Sequence, residues 1–386
     1  MQRDRHLVRW LVFAALLGVA AVAVVEGISR GPQPVAWLGD GDENFGYTPN
    51  PEGVERFLEE LPQPLFRDAG AEAVREAKGV DTFLYRSAYK AHQALYGRPW
   101  VVERQGIGDC VSWGWAHGIF VAQAIDWETG RLANPPPFPS TEAIYGGSRV
   151  EARGRSGDGS SPVGGWSDGS YGAAAARWVR DWGVIYRSEI GGHDLRVYSA
   201  DRAKKWGAYG NGGQGDGGRL DQLAKKHPAQ YVAMVTTWAE AAAAIESGFP
   251  IPVASMQGFA SKRDANGYAA ASGQWAHQMC FIAVRYAKNS TPANPTPSDA
   301  LLCLNSWGPG WISGPKWPAD QPDGSFWVTR STVERMLGQK DSFAVGSVAG
   351  FGWRDLDNGG FLMPAPPETR KPVFVPSVAN LFGIAP

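Results

Sequence analysis

The sequence has few cysteines and almost no net charge, and each absence excludes a class of protein. Its 386 residues include only three cysteines, and its formal net charge at pH 7 is −1. Three thiols form at most one disulfide, so the chain is not one of the small disulfide-rich secreted proteins. The balanced charge indicates neither a nucleic-acid partner nor a disordered acidic chain.

Motifs for metal and phosphate binding are missing as well. His92, His193 and His227 do not have the spacing of metal ligands. The glycine-rich residues 207–218 are not followed by the Gly-Lys-Ser/Thr of a phosphate-binding loop. We therefore expect neither a metal ion nor a cofactor.

A membrane signal is predicted near the N-terminus. Residues 10–25 are uncharged and apolar, and three arginines precede them. As a helix they would reach roughly 24 Å, somewhat less than the roughly 30 Å of a hydrocarbon core. Residues 1–28 are thus predicted to be a signal anchor or a signal peptide, for which residues 21–23 offer a cleavage site. The basic flank places the rest of the chain on the non-cytoplasmic side, either membrane-anchored by a single pass or secreted or periplasmic.

Composition divides the remainder into three parts. Residues 29–96 begin with a stretch rich in Pro, Gly and acidic residues and are predicted to be a linker or a pro-segment. Residues 97–354 carry the periodic segments of a folded domain, and residues 355–386 form a Pro-rich tail.

Helical periodicity comes first and strand-like alternation later, which is typical of an α+β fold with two lobes. The predicted helices cover residues 54–61, 69–78, 81–96, 109–127, 171–182 and 238–247. The predicted strands cover residues 101–102, 251–256, 278–286, 301–304 and 325–329, with loops at 134–170 and 207–220. The helix at 109–127 is apolar round most of its surface, so we expect it to be central and buried.

Cys110 lies at the start of this central helix, with Asp109 as the expected N-cap. A thiol attacks an acyl group as its thiolate, and the partial positive charge of a helix N-terminus lowers a thiol pKa. A neighbouring imidazole would have to take the proton. His117 is seven residues further along the helix and too far away, so the base must come from elsewhere in the chain.

Three stretches resemble the papain family of cysteine peptidases, and they occur in the family's order. Gln105 to Trp113 (QGIGDCVSW) resembles the segment around the nucleophile, and Trp275 to Tyr286 (WAHQMCFIAVRY) resembles the strand that carries the histidine. Leu302 to Trp311 (LCLNSWGPGW) resembles the family's Asn-Ser-Trp-Gly motif, which is the most specific of the three. The resemblance covers about residues 97–330 and is greatest to divergent members from bacteria and their phages.

The resemblance implies a two-lobed papain-like fold, with a helical left lobe around the Cys110 helix and an antiparallel β right lobe. It implies that Cys110 is the nucleophile, His277 the base and Asn305 the group that orients the imidazole. Trp307 would shield the His–Asn pair from water. Gln105 and the backbone N–H of Cys110 would form the oxyanion hole.

Gly169 matches the family's glycine whose backbone binds substrate. The sequence also departs from the family: Gln105 is one residue closer to Cys110 than usual, Gly108 replaces a disulfide-forming cysteine, and residues 288–299 are an insertion. The other two thiols, Cys280 and Cys303, are predicted to be unpaired core residues on opposite faces of their strands.

The expected function is thiol-dependent hydrolysis of peptide or isopeptide bonds in a peptide or protein substrate, on the non-cytoplasmic side of a membrane. Two alternatives stay open at this stage. A papain-like module without activity would have a structural or binding role. An acyl transferase with the same triad would pass the acyl group to an amine.

Overall fold

The computed structural model of the protein has an α+β fold in which most helices precede an antiparallel sheet. It describes residues 45–152, 168–215, 217–227, 231–292, 294–346, 350–354 and 356. The predicted α+β class, with a central cysteine-bearing helix beside an antiparallel sheet, is confirmed. The predicted N-terminal hydrophobic segment and nearly all of the C-terminal tail lie outside the described residues.

One long helix is surrounded by shorter ones. The helices are α1 (Pro51–Glu59), α2 (Phe66–Ala69), α3 (Ala71–Glu76), α4 (Tyr85–Tyr96), α5 (Cys110–Glu128), α6 (Thr141–Gly146), α7 (Gly172–Asp181), α8 (Ala200–Tyr209), α9 (Arg219–Ala224), α10 (Trp238–Glu246) and α11 (Arg330–Leu337). A π-helix (Gly147–Glu151) continues α6, and short 3₁₀ turns cover Asn211–Gly213 and Ala287–Asn289.

Five strands form the main sheet, in the order β1-β6-β7-β8 with β5 also paired to β6. The strands are β1 (Thr82–Phe83), β2 (Glu189–Ile190), β3 (His193–Asp194), β4 (Tyr231–Met234), β5 (Ile251–Arg263), β6 (Ala269–Arg285), β7 (Ala300–Leu304), β8 (Ser325–Thr329) and β9 (Phe343–Gly346). All pairs are antiparallel, and β2–β3 and β4–β9 form separate two-stranded ladders. Strand β6 pairs with three neighbours, so its middle residues are held from both edges.

Helix α5 is the buried centre of the fold. Its residues from Cys110 to Asp126 are all buried, as expected for a helix that is apolar on every side. Two glycines let it approach the sheet closely. A Cβ atom on Gly114 would lie 2.8 Å from the carbonyl oxygen of Met279, and one on Gly118 would lie 2.9 Å from Pro252. Larger side chains there would push the first half of α5 away from β5 and β6.

The elements before residue 97 pack onto the same body. Val54 and Phe57 of α1 are in the hydrophobic core, and α4 packs along α5. Strand β1 adds to the main sheet, where Thr82 is opposite Val284. The folded body therefore extends back to residue 45, whereas the role of residues 29–96 as a linker or a pro-segment stays a prediction.

The structure differs from the predicted elements in the middle of the chain. Residues 101–102 are not a strand, and the predicted loop 134–170 contains α6 and the π-helix. Helix α6 was hidden by the neighbouring prolines and glycines, but Ser140 caps it by accepting a hydrogen bond from the backbone N–H of Ala143. Tertiary packing stabilises this helix, because the buried Glu142 accepts hydrogen bonds from Arg202.

Strands β5 and β6 are longer than predicted. They continue as a hairpin beyond the predicted ends, with register shifts between Ser255 and Arg263. The added part of the hairpin is more exposed than the rest, so its sequence lacks the continuous apolar pattern of the buried part.

The remaining two cysteines are unpaired, as predicted. Cys280 is opposite Leu304 and Cys303 is opposite Phe281, so the two sulfurs project from opposite faces of the sheet. Within the described part of the chain, no helix combines the length and apolar character needed to cross a membrane.

Candidate active site

Cys110 is the first residue of α5, and its side chain is completely buried. Backbone N–H groups of Gln278 and Gly46 face its sulfur, which places the thiol against strand β6. Asp109 occupies the N-cap position as predicted, but its side chain does not cap the helix. Instead, its Oδ2 accepts a hydrogen bond of 2.9 Å from the hydroxyl of Tyr198.

His277 and Asn305 form a hydrogen-bonded pair. The distance from Nε2 of His277 to Oδ1 of Asn305 is 2.7 Å, so Nε2 carries the hydrogen and Nδ1 is the basic nitrogen. Nδ1 is buried and has no hydrogen-bond partner among the described residues. His277 directly precedes Gln278, whose backbone faces the Cys110 sulfur. Cys110 therefore lies against the residue that follows His277. Cys110, His277 and Asn305 are all completely buried, and we refer to them and their immediate neighbours as the cluster.

Aromatic rings cover the His277–Asn305 pair. The ring of Trp307 lies 4.6 Å from the imidazole of His277, and Trp307 is only 5% exposed. Trp275 packs on Trp307 at 4.8 Å, and Phe45 meets His277 edge-on at 5.9 Å. Exclusion of water strengthens the hydrogen bond beneath these rings.

Gln105 is part of this cluster. Ser306, the residue after Asn305, donates a hydrogen bond from its hydroxyl to Oε1 of Gln105. The backbone N–H of Gln105 in turn donates to the carbonyl of Ser306 at 2.8 Å. Nε2 of Gln105 donates to the carbonyl of Ile107 at 2.9 Å. With the short Gln105–Cys110 spacing, the Gln105 side chain still lies in the cluster, where it is held by Ser306 and by Ile107 of its own loop.

Gly169 lies beside the cluster in a conformation that requires glycine, with φ +94°. Its own backbone groups bond to neighbours, since its N–H donates to the hydroxyl of Tyr145 and its carbonyl accepts from Arg149. The next residue, the buried Ser170, makes the backbone hydrogen bonds to residues 46 and 48 instead. The absence of a Cβ on Gly169 allows another chain segment to pass close by.

That segment is Phe45–Thr48, which we call the covering segment. It runs across the cluster, and its Tyr47 forms a parallel β-bridge with Ser170. A Cβ on Gly169 would lie 2.6 Å from the carbonyl oxygen of Gly46, and the backbone N–H of Gly46 faces the Cys110 sulfur. The covering segment thus contacts both buried residues, since the N–H of Gly46 faces the Cys110 sulfur and the ring of Phe45 packs against His277.

Burial keeps both reactive groups uncharged. It raises the pKa of the Cys110 thiol to about 12, which outweighs the lowering effect of the Gln278 backbone N–H. It lowers the pKa of His277 to about 4, which outweighs the raising effect of the hydrogen bond with Asn305. Because burial is the largest cause in both cases, exposure of the site would bring the two pKa values towards each other and make proton transfer from the thiol to the imidazole less costly.

Asp341 lies under the covering segment. Its carboxylate accepts hydrogen bonds from the backbone N–H groups of Gly172 (2.8 Å) and Ala173 (2.7 Å) at the start of α7. It also accepts a hydrogen bond from the hydroxyl of Tyr47. Burial raises the pKa of Asp341 to about 7 despite these three hydrogen bonds.

Several residues of this site were not predicted from the sequence. They are Phe45, Gly46, Tyr47, Ser170, Ser306 and Asp341, which contact the predicted residues or the covering segment. Ser306 had a signal, because it directly follows Asn305 in the Asn-Ser-Trp-Gly motif. The covering segment lies in a stretch with the composition of a linker, and its place in the site depends on contacts more than 60 residues away in the chain.

Among the described residues, no group of three or more His, Cys, Asp or Glu side chains is arranged to hold a metal ion. Neither a protein-family model nor a curated protein matches the sequence.

The solved structures to which the chain is similar include a cysteine protease and two proforms of cathepsins. Xylellain, a cysteine protease from Xylella fastidiosa, is 15% identical, with a TM-score of 0.42 over 81% of this chain and 96% of its own. Digestive procathepsin L 3 of Tenebrio molitor larval midgut is 15% identical, with a TM-score of 0.42 over 79% of this chain and 84% of its own. Procathepsin B S9 from Trypanosoma congolense is 8% identical, with a TM-score of 0.40 over 81% of this chain and 86% of its own.

Proposed function

We propose that the protein is a thiol-dependent hydrolase of peptide or isopeptide bonds, with Cys110 as nucleophile, His277 as base and Asn305 as the orienting group. The observation that carries this proposal is the His277–Asn305 hydrogen bond of 2.7 Å. It leaves the basic nitrogen of the imidazole available in the cluster that contains the Cys110 thiol. A cysteine, a base and a group that orients the base are the components of nucleophilic acyl transfer.

The chemistry would proceed in two steps. The Cys110 thiol gives its proton to Nδ1 of His277, and the thiolate attacks the substrate carbonyl to form a thioester. The C–N bond breaks as the leaving amine takes the proton from His277. Water then attacks the thioester, with His277 as base, and releases the acid and the free thiol. The backbone N–H of Cys110 and the side chain of Gln105 would stabilise the oxyanion, and Trp307 would keep water from the His277–Asn305 pair.

The covered form would be latent. Cys110 and His277 are inaccessible in it, and their pKa values are those of an uncharged pair. Residues 45–48 would therefore have to leave before a substrate could enter. This assigns an inhibitory role to part of the segment that the sequence predicts to be a linker or a pro-segment.

The proposal is tested by labelling with an epoxide-type thiol inhibitor. A Gly46→Ala variant serves as the opened form, because a Cβ on Gly46 clashes with the backbone of Gly108. We expect stoichiometric labelling at Cys110 in this background. His277→Ala should lose most of the labelling, and Cys110→Ala should not be labelled at all. Cys280→Ala is the matched control and should label normally, because Cys280 is a buried strand residue.

Labelling and a peptide assay together separate the alternatives. A folded, opened protein whose Cys110 does not react would be an inactive module, and the proposal would fail. A protein that consumes peptide only when an amine acceptor is supplied would be an acyl transferase. Hydrolysis in the absence of any amine supports the proposal.

The site of action is part of the same proposal. The arginines before the apolar residues 10–25 favour export of everything that follows. A reporter fused after residue 386 should be active on the non-cytoplasmic side, and replacement of Arg3, Arg5 and Arg9 by Glu should reduce its export. Full activity of a cytoplasmic reporter would contradict it.

A further inference from the structure

The covering segment binds as an extended peptide that is held by its backbone from two sides. The N–H of Tyr47 donates to the carbonyl of Ala276 at 3.1 Å. On the other side, Thr48 N–H donates to the carbonyl of Ser170 at 2.8 Å, and Ser170 N–H donates to the carbonyl of Gly46 at 2.8 Å. These backbone groups do not depend on sequence, so any extended peptide could use them.

Selectivity must therefore come from side chains, and Tyr47 is the side chain that the site encloses. Tyr47 is only 1% exposed, although it belongs to a segment that lies across the surface of the site. Its hydroxyl donates to the carboxylate of Asp341 and also bonds to the side chain of Gln339. The pocket around Tyr47 thus ends in two polar groups that match a phenol.

Two backbone features shape the base of this pocket. Gly172 permits the approach of Asp341, because a Cβ there would lie 2.7 Å from Oδ1 of the aspartate. Asp341 and Gln339 flank Lys340, which has a φ of +57°, a conformation that is rare for a residue other than glycine. The loop after α11 keeps this costly conformation while it directs both polar side chains at the phenol.

The pocket is adjacent to the nucleophile. The backbone of Gly46 faces the Cys110 sulfur, and Tyr47 is the next residue. Tyr47 is also close enough to Cys110 for their charged forms to interact electrostatically. A substrate that binds in place of the covering segment would put the neighbour of its reacting residue into the same pocket.

We propose that Asp341, supported by Gln339, determines specificity in a subsite next to Cys110 and selects peptides with tyrosine at that position over phenylalanine. This inference rests on the proposed function and adds a substrate class to it. A buried site that is built to bond a hydroxyl discriminates strongly against the analogue without one, because its polar group would be left unpaired. The covering segment occupies the subsite as an internal mimic of such a substrate.

The first test uses the full chain with Gly46→Ala and two internally quenched peptides. The peptides are identical except that a central glycine is flanked on both sides by tyrosine in one and by phenylalanine in the other. We expect kcat/KM to favour the tyrosine peptide by roughly tenfold or more. With Asp341→Ala the ratio should fall to near one, with the phenylalanine peptide still cleaved.

The ratio is independent of the fraction of folded enzyme, because both peptides are measured on the same preparation. Equal cleavage of the two peptides by the Gly46→Ala protein, dependent on Cys110, would overturn the inference and leave the proposed function intact. A ratio that Asp341→Ala does not change would also overturn it.

A second measurement needs no catalysis and holds if the proposed function fails. In a Cys110→Ala background with Gly46 retained, we compare amide hydrogen exchange at Tyr47 and Thr48. Tyr47→Phe and Asp341→Ala should each accelerate exchange by roughly tenfold, and the double variant by no more than the larger single effect. Additive effects, or no effect of Tyr47→Phe, would show that Asp341 does not recognise the hydroxyl.

Discussion

Gly46 passes so close to Gly108 that a Cβ atom on Gly46 would lie 1.8 Å from the carbonyl oxygen of Gly108. The atoms that face Gly46 belong to the backbone of Gly108, so no rotation of a neighbouring side chain could make room for the added Cβ. We predict that Gly46→Ala opens the site. Overpacking costs about 1–3 kcal/mol, which raises the population of the open form roughly 5- to 150-fold.

Alkylation of Cys110 by iodoacetamide at pH 7, followed by mass spectrometry, measures this opening. Gly310→Ala is the matched control, because a Cβ there has no heavy atom within 4 Å. The rate should rise in Gly46→Ala and stay at the wild-type value in Gly310→Ala. An unchanged rate in Gly46→Ala would mean that the covering segment does not limit access.

Loss of Asn305 should impair the base more than the fold. Asn305→Ala removes the acceptor of the Nε2 hydrogen of His277, and that hydrogen bond raises the pKa of His277. We predict a decrease in kcat/KM of roughly 10- to 100-fold in the opened protein, in the range of general-base effects. The alkaline limb of the pH–rate profile should move to lower pH, because the imidazolium loses its proton more readily. A rate decrease without that displacement would indicate a merely structural role.

Asp341 should make the covered form more stable in acid. Its pKa is raised from 3.8 to about 7, so the folded state binds the proton more tightly than the unfolded state. Its stabilising contribution is then complete below pH 4 and is lost as the pH rises through 7, by up to about 4 kcal/mol. Urea unfolding from pH 4 to pH 8 should show this loss in the wild type relative to Asp341→Asn, whose amide does not titrate. If the two stabilities ran parallel with pH, the assignment would be wrong.

His117 should make the protein less stable in acid, which is the opposite of the effect expected from Asp341. It is completely buried, neither ring nitrogen has a hydrogen-bond partner among the described residues, and burial lowers its pKa to about 3. Its contribution is complete above its unfolded pKa of about 6.5 and is lost as the pH falls towards 3. His117→Leu should raise the free energy of unfolding by about 1–2 kcal/mol at pH 7 and by more at pH 4. Urea titrations at pH 7 and pH 4 measure the free energy of unfolding. A variant that is less stable than the wild type at both pH values would contradict the prediction.

The sequence predicted those parts of the fold that local pattern determines. Helix α5 and strands β7 and β8 lie within one residue of their predicted bounds. Their apolar periodicity is continuous because they are buried on nearly all sides. Helix α6 was missed, since its stability comes from the buried Glu142–Arg202 pair and not from its own periodicity.

The residues of the candidate site also fall into those that the sequence predicts and those that it does not. Cys110, His277 and Asn305 stand in motifs whose residues are neighbours in the chain, so their identity could be predicted from the sequence. The pairing of Gly46 with Ser170 and of Tyr47 with Asp341 joins segments separated by more than 100 residues. No periodicity or composition indicates such contacts, and only the folded chain reveals that the site is covered.

The short connection between the covering segment and α1 has a kinetic consequence. Thr48 is followed by only two residues before Pro51 begins a helix whose Val54 and Phe57 are anchored in the core. A released covering segment therefore stays within a few residues' reach of its binding groove, at an effective concentration on the order of millimolar or more. It would compete with every incoming substrate, and opening without cleavage would be reversible. A single cut in the chain between Thr48 and Pro51 would let the segment diffuse away and make the opening permanent.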